Sequence, residues 1–278
     1  MKIKELEAKV NRTINDYNLI SHGDKVLIAY SGGKDSTSVL YLLKKLGYNV
    51  EALMIDLLLG DYSKKHLDNA ESFCKELGVK LHVINIREAI GNSICYIRSG
   101  VQAKHCLSNC HICGVIKRWL LNKEARSLGA NKLATGHNLD DESETLLMNL
   151  FSGNPKLLLN SGPKNGLIIN DNFIQRIKPL YFCTNDEVKA YSKIKHFPVL
   201  YDKCPCSSKA FRNEIRKHLN EIATPKIKAG LMKNFLKMLP GFKSNYQPLG
   251  ELKYCNNCGE PSRGGVCRTC SLINNLRT

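Results

Sequence analysis

Apolar positions along the chain fall into short runs separated by stretches with one apolar face. Residues 1–22 have the charge spacing of a helical leader. Val26–Tyr30 is a continuous apolar run of strand type. A Gly-rich turn follows, and then Val39, Leu40, Leu42 and Leu43 share one helical face. "NVEALMIDL" reads as a second strand, "SKKHLDNAESFCKELG" as an amphipathic helix ending at Gly78, and "VKLHVINI" as a third strand. From Cys110 to Gly129 the pattern is helical, with Ile116, Leu120, Leu121 and Ala125 on one face. "NKLATGHNLDDESETLLMNLFSG" predicts strand, turn and helix, with acids in the first helical turn where the macrodipole favours them. "FIQRIKPLYF" is a fifth strand candidate, and another helix starts near Asn185. Strands and helices alternating at this spacing predict an α/β fold, a parallel sheet with helices on both faces.

Beyond about residue 200 the pattern changes. Residues 209–240 read as wholly helical and basic, and 250–278 combine little apolar content with four cysteines. That tail is too small for a core of its own and needs a staple. The predicted units are therefore the leader (1–22), a catalytic α/β domain (23–205), a basic helical region (206–249) and a cysteine-bearing tail (250–278).

Composition adds two things. Hydrophobic residues make up 43% of the 278, enough for a sizeable core, and no apolar run is long enough to span a bilayer. "MKIKELEAKVNRTI" has no apolar h-region, which points to the cytoplasm rather than export. Lys and Arg number 41 against 25 Asp and Glu, a formal charge of +16, which predicts a polyanionic partner. Twelve cysteines in a reducing compartment suggest metal or redox chemistry rather than disulfides.

Ser31-Gly-Gly-Lys-Asp-Ser36 sits at the end of the first strand and opens a helix. Gly32 and Gly33 let the backbone approach an anion, free N–H groups at the helix start face it, and the hydroxyls of Ser31 and Ser36 add donors. The Walker spacing is absent. SGGKDS after a strand resembles the pyrophosphatase loop of the PP-loop ATPases, over roughly residues 20–200. That resemblance implies an adenine nucleotide alpha hydrolase-like fold, cleavage of ATP between its α- and β-phosphates, and transfer of AMP to a substrate oxygen. It implies ATP contacts at Ala29, Ser31, Gly32, Gly33, Lys34, Asp35 and Ser36. It also implies that backbone atoms near Ile55, where the second strand ends, read the adenine ring.

Gly136-His-Asn-Leu-Asp-Asp-Glu142 is a second strand–helix junction, and it too resembles that family. Acids at a helix start can hold Mg²⁺ beside a triphosphate. Simple N-terminal capping by Asp140 and Asp141 is the plainer account. In the family reading Gly136 is a close-approach residue and Asp141 the catalytic acid.

The cysteines sort into sets. Cys255-x-x-Cys258 and Cys267-x-x-Cys270, eight residues apart, offer four thiolates at the spacing of a zinc ribbon. Cys110, Cys113 and a partner from Cys204-Pro205-Cys206 form another. Spacing alone leaves open a zinc site completed by Cys106 or a three-cysteine iron–sulfur cluster. Cys-x-x-Cys-Gly-x-x-Lys-Arg, here Cys110 to Arg118, resembles the tRNA-uridine 2-thiolase branch of the PP-loop enzymes. The resemblance implies a [4Fe-4S] cluster on Cys110, Cys113 and Cys204, with one iron open to sulfide. Cys206 stays an alternative to Cys204. Lys117, one turn after Cys113, becomes a candidate catalytic residue. Those relatives usually carry another zinc ribbon before the ATP loop; here no Cys precedes Cys74. Cys74, Cys95 and Cys183 lie among apolar neighbours and are expected to be buried.

The basic stretch contributes Lys209, Arg212, Arg216, Lys217, Lys226, Lys228, Lys233 and Lys237 as candidates for tRNA backbone contact. The expectation is ATP-dependent 2-thiolation of a tRNA uridine, with the wobble position favoured. Free sulfide or a ubiquitin-like carrier would be the donor, and a homodimer is compatible. The alternatives are the T-loop uridine, an anticodon-loop cytidine, or a non-catalytic zinc- and RNA-binding protein.

Overall fold

The computed structural model describes residues 3–153, 155–165, 172–202, 204–206, 211–245, 253–262 and 264–274. The elements run α1 (Ile3–Asp16), β1 (Lys25–Tyr30), α2 (Lys34–Lys45), β2 (Asn49–Asp56), α3 (Asp61–Glu76), β3 (Leu81–Asn85), α4 (Ile86–Ile90), α5 (Ile94–Lys104) and α6 (Asn109–Ser127). Next come β4 (Lys132–Ala134), α7 (Leu139–Phe151), a 3₁₀ turn (Pro155–Asn160), β5 (Gln175–Ile177) and α8 (Asn185–Ile194). The basic region forms α9 (Phe211–Ile222) and α10 (Pro225–Asn245), and the tail holds β6 (Lys253–Tyr254), β7 (Pro261–Ser262) and α11 (Arg268–Asn274).

Five strands make one sheet in the order β3-β2-β1-β4-β5, every neighbouring pair parallel. A parallel sheet requires crossover helices that cover both its faces, so β1 and β2 are buried nearly throughout. The leader helix is part of this packing: Leu6, Val10 and Ile14 of α1 are fully buried with α2 and α8 in the main core. A second core, built on Ile94, Ile97, Val101, Ile112 and Ile116, joins α5 to α6 and receives Leu272 from α11. The sheet order reverses between β1 and β4, and the loops at that crevice are the usual ligand site of an open α/β sheet.

Two expectations need correction. The stretch 209–240 is not one continuous helix. Among the described residues it breaks at Ala223–Thr224, where Pro225 cannot continue the hydrogen-bond ladder of α9 and instead starts α10. Lys209 lies outside the described residues. Among the three cysteines expected to be buried, Cys74 and Cys183 are, but Cys95 is exposed on the first turn of α5. Its apolar sequence neighbours Ile94 and Ile97 take the inward face and leave Cys95 outward. No helix among the described residues is long and apolar enough to cross a membrane.

Candidate active site

The phosphate-type loop leaves β1 at Tyr30 and enters α2 at Lys34, with Gly33 as the N-cap residue and no side chain capping the helix. The first N–H groups of α2 therefore have no side-chain competitor for an anion. Gly32 has φ +72°, and a Cβ there would lie 2.9 Å from His66 Nδ1, so glycine is needed on both counts. Ser36 Oγ donates to the Gly33 carbonyl (3.1 Å) and accepts from the Ser31 N–H (3.2 Å), which cinches the loop. Ser31 Oγ stands 3.2 Å from Ser36 Oγ. Lys34 Nζ is 2.6 Å from Asp35 Oδ2.

The second junction, after β4, packs directly on the first. A Cβ on Gly136 would sit 2.8 Å from the Ser36 nitrogen and 2.9 Å from the Asp35 carbonyl carbon. Asn138 Nδ2 donates to Asp35 Oδ1 at 3.1 Å. Asn138, not Asp140 or Asp141, is the N-cap of α7. Its side chain accepts from the Asp140 and Asp141 N–H groups, and Asp141 Oδ2 accepts from the Asn138 N–H in return. The capping account thus holds for this helix with the roles reassigned. Asp141 is also engaged by Arg216 (3.5 Å) and Arg212 (3.8 Å). Ala29 lies inside β1, and Ile55 is half-buried at the end of β2, where Asp56 accepts from the Leu58 N–H at 2.8 Å.

His137 stands beside this junction with Nδ1 3.0 Å from Thr135 Oγ1. Its pKa is held down to about 4, first by loss of hydration and then by the cations Lys178, Arg212 and Arg176, against the pull of Glu142. Behind it Lys178 and Glu142 form a buried ion pair at 2.7 Å.

The cysteine set lies on the neighbouring helices. Ser108 caps α6 through a bond from the His111 N–H (3.3 Å), placing Cys110 and Cys113 in the first two turns. Cys110 is exposed, and Cys113 and Cys204 are half-buried. Burial pushes the Cys113 thiol up, Lys117 and Arg98 pull against that, and the Cys204 and Cys110 thiols add to the rise. The three sulfurs and Lys117 therefore share one electrostatic neighbourhood. Arg98, buried on α5, donates to Cys95 Sγ at 3.0 Å and also hydrogen-bonds the Cys206 side chain. Cys206 is thus turned to Arg98, while Cys106 is exposed at the loop before α6.

One residue touches both halves. His66 of α3 presses on Gly32 of the phosphate loop, its Nε2 is buried without a hydrogen-bond partner among the described residues, and its ring lies 4.4 Å from that of Tyr62. Asp202 acts on His66, and Cys204 acts on Tyr62. Loss of hydration keeps His66 below its ordinary pKa despite Asp202.

Cys255, Cys258, Cys267 and Cys270 bring their sulfurs within 4.8 Å of one another. The Cys267 N–H donates to Cys255 Sγ at 3.1 Å. Although burial opposes it, this and neighbouring N–H bonds hold the Cys255 thiol down at about 6. Four convergent thiols, one already favouring thiolate, fit a tetrahedral divalent metal. The unit is anchored by Glu260, which is buried against Arg126 and accepts from Asn122 Nδ2 at 3.2 Å.

The cations of the basic helices divide into two groups. Arg216 bonds Glu144 at 2.6 Å, Arg212 lies 3.5 Å from Glu144, and buried Lys228 bonds Asp140 at 2.6 Å. These three hold α9 and α10 to α7; Lys228 is enclosed, while Arg212 and Arg216 keep part of their side chains at the surface. Lys217, Lys226, Lys233 and Lys237 are exposed. Sequence reasoning missed Arg98, His66, Asn138 and Arg176. Only Asn138 carried a local signal, the Asn-x-x-Asp capping pattern.

A family model described as PP-loop domain matches residues 3–223. The chain is 37% identical to a tRNA-5-methyluridine(54) 2-sulfurtransferase of Pyrococcus horikoshii, over 96% of this chain and 84% of that protein. It is 34% identical to a protein of the same name from Thermus thermophilus, over 97% and 81%. Among solved structures it superposes on the U34-tRNA thiolase NcsA of Methanococcus maripaludis with its [4Fe-4S] cluster. The TM-score is 0.80 at 28% identity, covering 99% of this chain and 88% of that one.

Proposed function

The chain belongs to the PP-loop domain family, and from that premise we propose that it is an ATP-dependent tRNA-uridine 2-sulfurtransferase. The observation that carries the reading is the common wall at α3: His66 packs on Gly32 of the phosphate loop while Tyr62 and His66 face the Asp202–Cys204 segment. Nucleotide loop and thiol segment thus both lie against α3, an arrangement that suits adenylation followed by sulfur transfer.

The free N–H groups of α2, with Ser31, Lys34 and Ser36, hold the ATP phosphates, aided by Mg²⁺. Uridine O2 attacks the α-phosphorus and pyrophosphate leaves. Asp141 orients the metal–phosphate group, and Lys117 neutralises charge developing between the AMP ester and the incoming sulfur. Sulfur then bonds to C2, and the C2–O2 bond breaks with AMP as the leaving group. Cys110, Cys113 and Cys204 fit a [4Fe-4S] cluster: three thiols from two segments in one electrostatic neighbourhood, with the cations Lys117 and Arg98 beside Cys113. That cluster supplies an iron open to sulfide. The four tail cysteines hold Zn²⁺ as a structural staple. Free sulfide and a thiocarboxylated ubiquitin-like protein are the candidate donors.

The two named sulfurtransferases favour uridine 54 as the modified base. The wobble uridine, expected above, is the second reading, supported by the fold neighbour named for U34. Anaerobic incubation with iron, sulfide, ATP and unmodified tRNA, followed by mass-spectrometric mapping of the thionucleoside, tests both the class and the position. Cys110→Ala, Cys113→Ala and Cys204→Ala should each lose iron and thiolated product while still binding ATP. Full activity in all three would sink the reading, and a colourless protein holding zinc alone would favour the non-catalytic alternative.

A further inference from the structure

Acids pair with the cations that hold the elements of this chain together: Lys178 with Glu142, Arg126 with Glu260, Lys228 with Asp140, and Arg212 and Arg216 with Glu144. Buried Arg98 answers to thiols instead, and three further guanidiniums stand without an acid, Arg118 and Arg268 exposed and Arg176 half-buried. Arg118 follows Lys117 on α6, Arg176 lies in β5, and Arg268 opens α11. None of the three has a carboxylate partner among the described residues.

They are nonetheless grouped. Arg176 Nη2 donates to the Arg118 carbonyl at 3.2 Å. The Arg118 guanidinium folds back over Gly114, with Nη1 3.1 Å from where a Cβ would stand, so the missing side chain makes its berth. α11 packs on α6 through Leu272, bringing Arg268 to the same region. Arg118 repels both others, and burial, then Arg118, pushes Arg176 down to about 10. His111 Nε2 is buried beside Arg118 and Arg268 with no hydrogen-bond partner among the described residues.

Like charges drawn together from a strand, a helix and the tail unit repel one another, and an anion among them relieves that repulsion. Planar forks from several directions suit a tetrahedral phosphate better than a carboxylate already inside the fold. The place matters as well. Arg118 adjoins Lys117, so an anion here is held close to the thiol set. The nucleotide loop opens from β1 near the centre of the sheet, whereas Arg268 stands outside it; Arg176, on edge strand β5, also lies within electrostatic reach of His137 at the second junction.

We propose that Arg118, Arg176 and Arg268 form a phosphodiester-binding site that seats the tRNA backbone between the catalytic domain and the cysteine-bearing tail. The identity of the polyanion rests on the tRNA reading above. The tail then has a task beyond stability, since it supplies one of the three forks.

The test is binding of unmodified tRNA by fluorescence anisotropy across salt concentration, with Arg118→Gln, Arg176→Gln and Arg268→Gln and the matching Lys variants. Each Gln variant should lower the slope of log K against log salt by about 0.7–0.9, one phosphate contact's worth. Lys should restore the slope, while ATP affinity and metal content of the tail stay at parental values. An unchanged slope in Arg176→Gln and Arg268→Gln would overturn the site. Loss of ATP affinity with an intact tRNA slope would assign the phosphate to the nucleotide and overturn it equally. If the parent protein binds no tRNA, the functional reading itself fails and takes this inference with it.

Discussion

Gly136→Ala tests whether the two signature loops act as one nucleotide site. The added methyl would meet the Ser36 nitrogen at 2.8 Å and the Asp35 carbonyl carbon and Cβ at 2.9 Å. Two of these are backbone atoms on the opposite loop, so no side chain can swing away; the loops must part by several tenths of an ångström. Overpacking of this kind costs about 1–3 kcal/mol. The displaced atoms are the N–H groups aimed at the phosphates and the carboxylate that Asn138 holds at 3.1 Å, so the cost falls on nucleotide binding as well as folding. At 1.4 kcal/mol per decade, ATP affinity should drop by roughly 5- to 100-fold. The melting temperature should fall by about 2–4 °C per kcal/mol for a domain of this size. Gly230→Ala is the control: nothing lies within 4 Å of its Cβ, it is inside α10, and it should be neutral or slightly stabilising. Calorimetric titration with ATP and a thermal melt read both effects. Parental affinity and melting temperature in Gly136→Ala would show that the loops have room to separate, and the close-approach argument would be wrong.

Glu260→Gln should loosen the tail locally. It removes the charge facing Arg126 but keeps the shape and the Asn122 contact. Because Arg126 is partly open to water, the loss should be about 2 kcal/mol rather than the larger cost of a fully enclosed pair. Hydrogen exchange of residues 253–274 should speed up roughly 30-fold with the sheet unaffected; uniform acceleration across the sheet would refute the anchoring role. His137 predicts a pH dependence. Its folded pKa, about 4, lies below the ordinary histidine value, so between those pH values the unfolded chain binds the extra proton. Stability should therefore fall as pH drops from about 6.5 towards 4. His137→Asn should flatten that part of the melting-temperature profile, and an unchanged profile would place the titration elsewhere.

The centre of the sheet was legible because Val26–Tyr30 of β1 and Ala52–Ile55 of β2 are continuous apolar runs, as a sheet covered on both faces demands, and each strand is followed by an amphipathic helix. The short α5 left a fainter trace: Ser93 as cap and Ile94, Ile97 and Val101 on one face, which a longer window averages away. Cys95 shows the limit of judging burial from neighbours, since adjacent helical positions point in different directions. The nucleotide loops were readable because glycine, hydroxyl and acid at a strand–helix junction form a local pattern. The common wall at α3 was not, because His66 and Gly32 meet through the tertiary fold.

Charge shows the same division between what a count reveals and what a fold decides. A formal +16 is a sum over the whole chain, and the basic run after residue 209 seemed its natural home. Yet α7 opens on three acids and continues to Glu144. An amphipathic helix laid against that acidic turn must satisfy it before it offers anything to a partner. Arg212, Arg216 and Lys228 do so, and the exposed lysines between them remain a diffuse, strongly hydrated surface. The charge left without an internal counterpart lies where three distant segments converge, at residues 118, 176 and 268. For an anion to be bound firmly rather than merely attracted, the cations must be fixed in place and short of partners. In the group beside the thiol set Gly114 berths Arg118 and the Arg118 carbonyl holds Arg176, whereas Arg212, Arg216 and Lys228 of the basic helices already face the acids of α7.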